Sequence, residues 1–255
     1  MRGFCLLMTV VVGFFILVNS NISKGFIIPA EKAEAGKEIL IIYRVKRGDT
    51  LGWVAKFYGV KMERIRKRNK IKNPNKIYVG QILKIPTGLY WGKIIYHKVK
   101  RGEAVLEIAR KYSAFPEQIF HDNNLNPRSL IYPGQILKVA KVKIPPQRIM
   151  VSWYGEDFHG KKTANGERYN MNGFTAAHRW WPLGMRVRVT YGRKSIFVKI
   201  NDRGPYHLER QLDLSYRSVS ALGGTDLIRK GKFFVTVSEN SLFQKINLIL
   251  RNGEK

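Results

Sequence analysis

The chain has 255 residues and carries 46 Lys and Arg against 18 Asp and Glu, a formal net charge of +28. This length fits one large domain or two to three small ones. The only cysteine is Cys5, which excludes a disulfide framework. The positive charge predicts a polyanionic partner, because long-range attraction raises the local concentration of such polymers.

The N-terminus indicates which polyanions the chain meets. Met1 and Arg2 precede an apolar run over residues 3–18, which small and polar residues follow. This pattern is typical of an export signal, predicted over residues 1–20, with cleavage near residues 33–35 as an alternative. The apolar run is short for a membrane span, so an uncleaved signal is the only membrane attachment predicted.

Export determines the remaining expectations about location and ligands. In the periplasm or cell envelope the polyanions are envelope polymers and lipid surfaces, so no nucleic-acid partner is predicted. Loss of the signal removes Cys5, which leaves no thiol nucleophile and no cysteine metal ligand. No group of His, Asp and Glu has the spacing of metal ligands, so neither a metal nor a cofactor is predicted.

A polar spacer over residues 21–40 leads into an internal repeat. Residues 44–86 align without a gap with residues 98–140, and 16 of these 43 positions are identical. A repeat of this length is one small supersecondary unit used twice. Alternation and capping residues predict strand, helix, helix and strand in each unit, with Asp49 and Thr50 capping a helix that runs to about Tyr58.

Both units resemble the LysM module, predicted over residues 41–87 and 95–140. The pattern begins Tyr-x-Val-x-x-Gly-Asp-Thr-Leu and ends Gly-Gln-Ile-Leu-x-Ile-Pro in the first copy. The resemblance implies binding of N-acetylglucosamine units in peptidoglycan through Asp49, Thr50, Leu51 and Ile77. The alternative is that Asp49 and Thr50 only cap the helix. The second copy departs from the pattern at residues 103–105, which leaves its sugar affinity open.

A short helix in the first unit carries a basic cluster. Its members are Arg64, Arg66, Lys67, Arg68, Lys70 and Lys72. Such a cluster is most often a solvated helix face. The functional alternative is attraction to anionic envelope polymers.

A proline-containing linker over residues 141–148 precedes a region of different composition. Short alternating runs over residues 150–154, 186–190, 196–200 and 233–237 predict strands. A short helix over residues 215–222 is opened by Asp213 or Ser215. Five or six short strands in this length favour a closed barrel over a sandwich.

Residues 149–238 resemble the rare lipoprotein A family. The motifs Ser-Trp-Tyr-Gly, Thr-Ala-Asn-Gly-Glu, Thr-Ala-Ala-His, Asn-Asp-Arg-Gly-Pro and Leu-Asp-Leu-Ser occur in that order. The resemblance implies a multidomain protein of two α+β (βααβ) modules followed by an all-β double-psi barrel with short helices. It also implies a lytic transglycosylase, a carbon–oxygen lyase that cuts peptidoglycan glycan strands. Residues 239–255 are predicted as a tail.

The family motifs point to Asp202 as the acid and base, with Glu167 and His178 as supporting polar groups. Related expansins carry an essential Asp in a setting similar to that of Asp213, which is the alternative acid. Structural alternatives stay open for three of these residues. Glu167 also fits a turn, His178 a buried scaffold and Asp213 a helix cap.

Four further residues are predicted to contact substrate. Trp153, Tyr154 and Tyr206 offer rings that stack on sugars, and Arg203 lies beside the predicted acid. Packing in the core or rim is the alternative for each ring. Two other functions compete with the enzyme: a non-catalytic wall protein, expansin-like or glycan-binding, and a hydrolase.

Overall fold

The computed structural model describes residues 28, 29 and 31–239. The predicted signal, residues 1–20, and the tail beyond Glu239 lie outside the described residues. Within the described part, no helix has the length and apolar character needed to cross a membrane.

The two repeats share one antiparallel sheet of four strands in the order β1-β2-β3-β4. Its elements are β1 (Ile28–Pro29), β2 (Glu38–Arg44), α1 (Leu51–Tyr58), α2 (Met62–Arg68), β3 (Ile82–Lys98), α3 (Val105–Tyr112), α4 (Pro116–Asp122) and β4 (Ile136–Lys143). The 17-residue strand β3 closes the first repeat and opens the second. The two LysM units are therefore joined by a continuous strand.

One asparagine in each repeat ties a helix to the sheet. Asn69 Nδ2 donates to the carbonyls of Ile65 and Lys84, and its Oδ1 accepts from the backbone N–H of Lys84, all at 2.8 Å. Asn123 makes the same three contacts with Ile119 and Lys138, at 2.7–2.9 Å. The two aligned asparagines thus have the same structural role, in keeping with the gapless alignment of the repeats.

The C-terminal region is a closed barrel with the strand order β10-β5-β9-β6-β8-β7. Its elements are β5 (Gln147–Tyr154), a 3₁₀ turn (Glu156–Phe158), β6 (Thr175–His178), β7 (Arg186–Tyr191), β8 (Lys194–Asp202), β9 (Leu212–Ser215), α5 (Tyr216–Gly223), α6 (Thr225–Lys230) and β10 (Phe233–Glu239). Strands β5 and β9 pair in parallel, as do β6 and β8. The predicted six-stranded double-psi barrel is confirmed.

Several local predictions differ from the structure. Strand β2 begins at Glu38, inside the expected spacer, because Ile39 and Ile41 are fully buried in the core. Strands β4 and β5 reach into the expected linker, leaving only residues 144–146 between them. The short strands β6 and β9 were not predicted, because four residues are too few for alternation to show.

The first repeat and the barrel share one buried apolar core, whereas the second repeat has its own. Four aromatic side chains, here called the junction cluster, meet where the three units touch: Tyr58, Trp91, Phe115 and Trp180. Each is at most 6% exposed. Their ring centroids lie 6.1 Å apart for Tyr58 and Trp180, 6.2 Å for Trp91 and Phe115, and 6.5 Å for Phe115 and Trp180. The three units are therefore packed against one another.

Candidate active site

Strand β6 lies between the two candidate acids. Ala177 on β6 is paired with Asp202 on β8 and with Asp213 on β9. Neighbouring strands lie about 5 Å apart, so the two aspartate Cα atoms are separated by about 10 Å or less. The barrel thus brings together two carboxyl groups that the sequence separates.

Backbone amides orient the carboxyl group of Asp202. Its Oδ1 accepts from the N–H of Ala164 at 2.9 Å and from the N–H of Arg203 at 2.8 Å. The side chain is partly exposed at the end of β8. Because fixed backbone donors hold one oxygen, the carboxyl plane is set before any substrate arrives.

The predicted Thr-Ala-Asn-Gly-Glu segment folds as a turn over strand β8. The N–H of Asn165 donates to the carbonyl of Asn201 at 3.1 Å, and the turn closes through Gly166, whose φ is +90°. Glu167, at the end of this turn, pairs with Lys199 Nζ at 2.5 Å. Glu167 and Asp202 are therefore held near each other by the same strand.

Lys199 stabilises the ionised form of Glu167. Burial raises the pKa of this carboxyl, but hydrogen bonds from Lys199 and Asn165 outweigh it and hold the pKa below its ordinary value. The group is thus ionised at neutral pH and suits the stabilisation of positive charge better than proton donation. Glu167 also takes part in the turn, as the structural alternative proposed, because its backbone N–H donates to Asn165 Oδ1 at 3.0 Å.

His178 is a buried residue, 3% exposed. Its Nδ1 accepts from the backbone N–H groups of Trp180 and Trp181 at 3.2 and 3.0 Å, and its ring stacks on Trp181 at 4.0 Å. Burial, with the nearby Arg179 and Arg203, lowers its pKa well below the usual range. The neutral ring therefore carries its proton on Nε2, and its observed contacts are those of the scaffold alternative.

Asp213 lies in strand β9, so the alternative interpretation of this residue as a helix cap is wrong. Ser215 caps α5 instead, since its side chain accepts from the N–H of Ser218. Asp213 accepts a hydrogen bond from Ser152 Oγ, and Arg210 Nε lies 3.8 Å from the same carboxyl oxygen. Burial raises the pKa of Asp213 in spite of these partners.

The predicted substrate-contacting residues fall into different surroundings. Trp153 donates from Nε1 to the carbonyl of Ile228 at 3.2 Å, and Tyr154 packs on the Tyr169 ring at 4.2 Å. Arg203 Nη1 donates to the carbonyls of His178 and Trp181, so this side chain stabilises the turn after His178. Tyr206, four residues after Asp202, is 86% exposed and is the most exposed of the three predicted rings.

In the first LysM unit the predicted loop residues are mostly structural. Thr50 Oγ1 caps α1 by accepting from the N–H of Trp53 at 3.1 Å. Asp49 does not cap; its Oδ2 accepts from Tyr43 Oη at 2.5 Å and from the N–H of Lys46 at 2.7 Å. Leu51 is 1% exposed, which leaves little side-chain surface for a sugar. Ile77 is partly exposed.

The second unit replaces the Tyr–Asp pair of this loop with His97 and Glu103. His97 Nε2 lies 2.7 Å from Glu103 Oε2, which also accepts from the N–H of Lys100 at 2.8 Å. Histidine is shorter than tyrosine and glutamate is longer than aspartate, so the His97–Glu103 pair connects the strand to the loop as the Tyr43–Asp49 pair does. The departure in sequence therefore preserves the loop.

Several functional contacts escaped the sequence prediction. No role was predicted for Lys199, although it lies on strand β8 three residues before Asp202. Arg179 follows His178 directly, yet two of its four carbonyl partners, those of Lys56 and Phe57, lie in the first LysM unit. Among the described residues, no group of three His, Cys, Asp or Glu is placed to hold a metal ion.

Comparison with known proteins identifies the domains. Residues 147–237 match the sequence profile described as lytic transglycolase, and residues 43–86 and 97–140 match that of the LysM domain. A probable endolytic peptidoglycan transglycosylase RlpA from Synechocystis sp. is 54% identical over 76 residues, which are 29% of this chain and 24% of the relative.

Other relatives carry the same description. An endolytic peptidoglycan transglycosylase RlpA from Neisseria meningitidis is 53% identical over 74 residues, 28% of this chain and 31% of the relative. One from Rickettsia typhi is 39% identical over 122 residues, 45% of this chain and 38% of the relative. The chain thus spans 38% or less of the length of each of these relatives. The double-psi barrel of this chain is thus similar to lytic transglycolase domains, and the two units that precede it match the LysM domain.

Proposed function

We propose that this protein is an exported peptidoglycan lytic transglycosylase that its LysM domains direct to the wall. The domain matches and the transglycosylase activity named for the relatives support this proposal. The observation that carries it is the partly exposed Asp202 carboxyl, which two backbone N–H groups orient inside the matched barrel.

A lytic transglycosylase needs one acid and base and no attacking water. Asp202 protonates the oxygen between N-acetylmuramic acid and N-acetylglucosamine, and the muramyl C1–O bond breaks. The resulting carboxylate takes the proton of the muramyl C6 hydroxyl, whose oxygen bonds to C1 and closes a 1,6-anhydro ring. The proton donated in the first half is recovered in the second.

The surrounding groups support different parts of this reaction. Ionised Glu167, held by Lys199, offers negative charge to an oxocarbenium-like transition state. Neutral His178 fixes the turn behind the site. Asp213 is the alternative acid, since its raised pKa favours a protonated carboxyl.

The LysM domains are proposed to bind the glycan strand through the loop of Asp49, Thr50, Leu51 and Ile77. The basic cluster around α2 supplies a weaker attraction to anionic envelope polymers. Part of that cluster is internally paired, because Arg64 and Arg66 contact Glu38 and Glu63. Location in the periplasm or cell envelope is part of the same proposal.

Digestion of purified peptidoglycan sacculi, with and without stem peptides, tests the reaction. Mass spectrometry should find products ending in 1,6-anhydromuramic acid, whereas reducing ends would indicate a hydrolase. We expect Asp202→Asn to reduce product formation by about 10²–10⁴-fold, because it removes the proton-transferring group. Asp213→Asn is the matched control for the alternative acid.

The non-catalytic alternative makes a different prediction from the same experiment. An expansin-like or glycan-binding wall protein would pellet with sacculi and release no soluble fragment. Asp202→Asn would then leave its behaviour unchanged, and the proposal of an enzyme would be wrong.

A further inference from the structure

The two segments that carry the candidate site both rest on the LysM domains. One is the turn after His178, and the other is the loop over residues 203–211 that follows Asp202. Arg179 stands between them and the first LysM domain. Its Nε donates to the carbonyl of Phe57 at 2.8 Å, and its Nη2 lies 3.3 Å from the carbonyl of Lys56.

The same guanidinium also holds the loop after Asp202. Arg179 Nη1 donates to the carbonyl of Pro205 at 3.0 Å and to that of Arg210 at 2.6 Å. One side chain thus bridges the last turn of α1 and both ends of this loop. The loop carbonyls would otherwise need other donors, because buried carbonyls are rarely left unpaired.

Packing on both sides of Arg179 reinforces this bridge. A Cβ at Gly59, the residue that ends α1, would lie 3.1 Å from Gln211 Nε2, so this glycine is in close contact with the end of the loop. Trp180, the next residue after Arg179, belongs to the junction cluster and meets rings from both LysM domains. The backbone N–H of Trp180 in turn donates to His178.

The second LysM domain contacts the other edge of the same turn. A Cβ at Gly184 would lie 3.0 Å from the backbone carbonyl oxygen of Arg110 in α3. Such close backbone approach leaves no space for a side chain at that position. Both LysM domains therefore support the segment that runs from His178 to Gly184.

We propose that Arg179 is a positioning residue which makes the LysM domains part of the scaffold of the candidate site. The loop that follows Asp202 keeps its conformation only while α1 is docked against it. The LysM domains would then have a structural role in the barrel besides glycan binding. The consequence for activity rests on the proposed function, whereas the consequence for loop order does not.

The chemistry of the bridge explains why arginine is needed. Four carbonyls in different directions require a planar group with several separated donors, which a guanidinium provides. A lysine places three donors on one nitrogen and cannot span both elements. Arg179→Lys therefore keeps the charge and the stem but loses most of the bridge.

Hydrogen exchange of the full chain tests loop order without any assay of activity. In Arg179→Ala we expect the amides of residues 206–211 and of Gly59 and Val60 to exchange about tenfold faster or more, because local opening becomes easier. Arg179→Lys should lie between this variant and the wild type, and it serves as the tested variant if the alanine variant does not fold. Arg148→Ala is the control, since Arg148 lies over the Phe234 ring on the barrel.

Kinetics on soluble glycan strands without stem peptides test the positioning role. We expect kcat to fall about tenfold in Arg179→Ala and KM to change less, since the displaced loop adjoins the acid at Asp202 while the LysM loop of Asp49 and Thr50 stays in place. Unchanged exchange in residues 206–211, or faster exchange with unchanged kcat, would overturn the inference. A wild-type protein that forms no anhydro products refutes the proposed function instead, and the exchange result then decides the docking alone.

Discussion

Glu117, in the first turn of α4, is expected to make the stability of this protein depend on pH. The side chain is partly buried, and Arg203 of the barrel is close enough to act on its charge. Burial raises its pKa from 4.5 to about 7, although its own backbone N–H and Arg203 favour the charged form. The folded state therefore holds a proton that the unfolded state has already released.

The sign and size of the effect follow from linkage. Below pH 4.5 both states are protonated and the group contributes no pH dependence. Between pH 4.5 and about 7 the folded state binds more protons, so the free energy of unfolding decreases as pH rises. A difference of about 2.5 between the two pKa values corresponds to a loss of about 3 kcal/mol by pH 8.

Glu117→Gln removes this titration while it keeps the shape of the side chain. We expect the variant to be more stable than the wild type at pH 8 by about 1–3 kcal/mol, with little difference at pH 4.5. Urea denaturation followed by tryptophan fluorescence at several pH values measures both. Glu156→Gln, on the exposed 3₁₀ turn, is the control. Equal slopes of stability against pH in wild type and Glu117→Gln would refute the reasoning.

Three further predictions concern contacts inside the second LysM domain and its contact with the barrel. Asn123→Ala should cost about 2–4 kcal/mol, because it removes three hydrogen bonds, and urea denaturation should show a loss similar to that of Asn69→Ala. Gly184→Val should separate the second LysM domain from the barrel, since φ is +84° and Arg110 leaves no space; protease resistance of residues 95–140 that equals wild type would contradict this. Hydrogen bonds with the backbone N–H of Lys100 and with the His97 ring lower the pKa of the Glu103 carboxyl to about 2. The stabilisation of the folded state by this carboxylate is therefore present above pH 4.5 and is lost as pH falls towards 2. In Glu103→Gln the melting temperature should vary less with pH over that range.

Local structure was largely predictable from the sequence. The Thr50 cap, the helix that ends at Tyr58 and the strands β7 and β8 depend on residues a few positions apart. The repeat also predicted the second LysM domain, in which the structure shows Asn123 making the contacts that Asn69 makes in the first. Interactions of this kind leave a pattern in any short window of sequence.

The candidate acid was identified by motif rather than by periodicity. The Asn-Asp-Arg-Gly-Pro motif pointed to Asp202, and the structure adds the two backbone donors that orient it. The Leu-Asp-Leu-Ser motif did not show that Asp213 lies in a strand, because β9 is only four residues long. Its partner Ser152 is 61 positions away, so no local pattern could reveal the hydrogen bond.

The sequence by itself therefore determined the domains, their order and the residues on which the proposed chemistry depends. Only the tertiary structure decided that Glu167 is paired with Lys199, that His178 is buried and neutral, and that Arg179 joins the barrel to α1 across 122 residues of sequence. The physical reason is that capping and alternation act within a few residues, whereas burial and the charge state of a side chain depend on whichever distant segments fold against it.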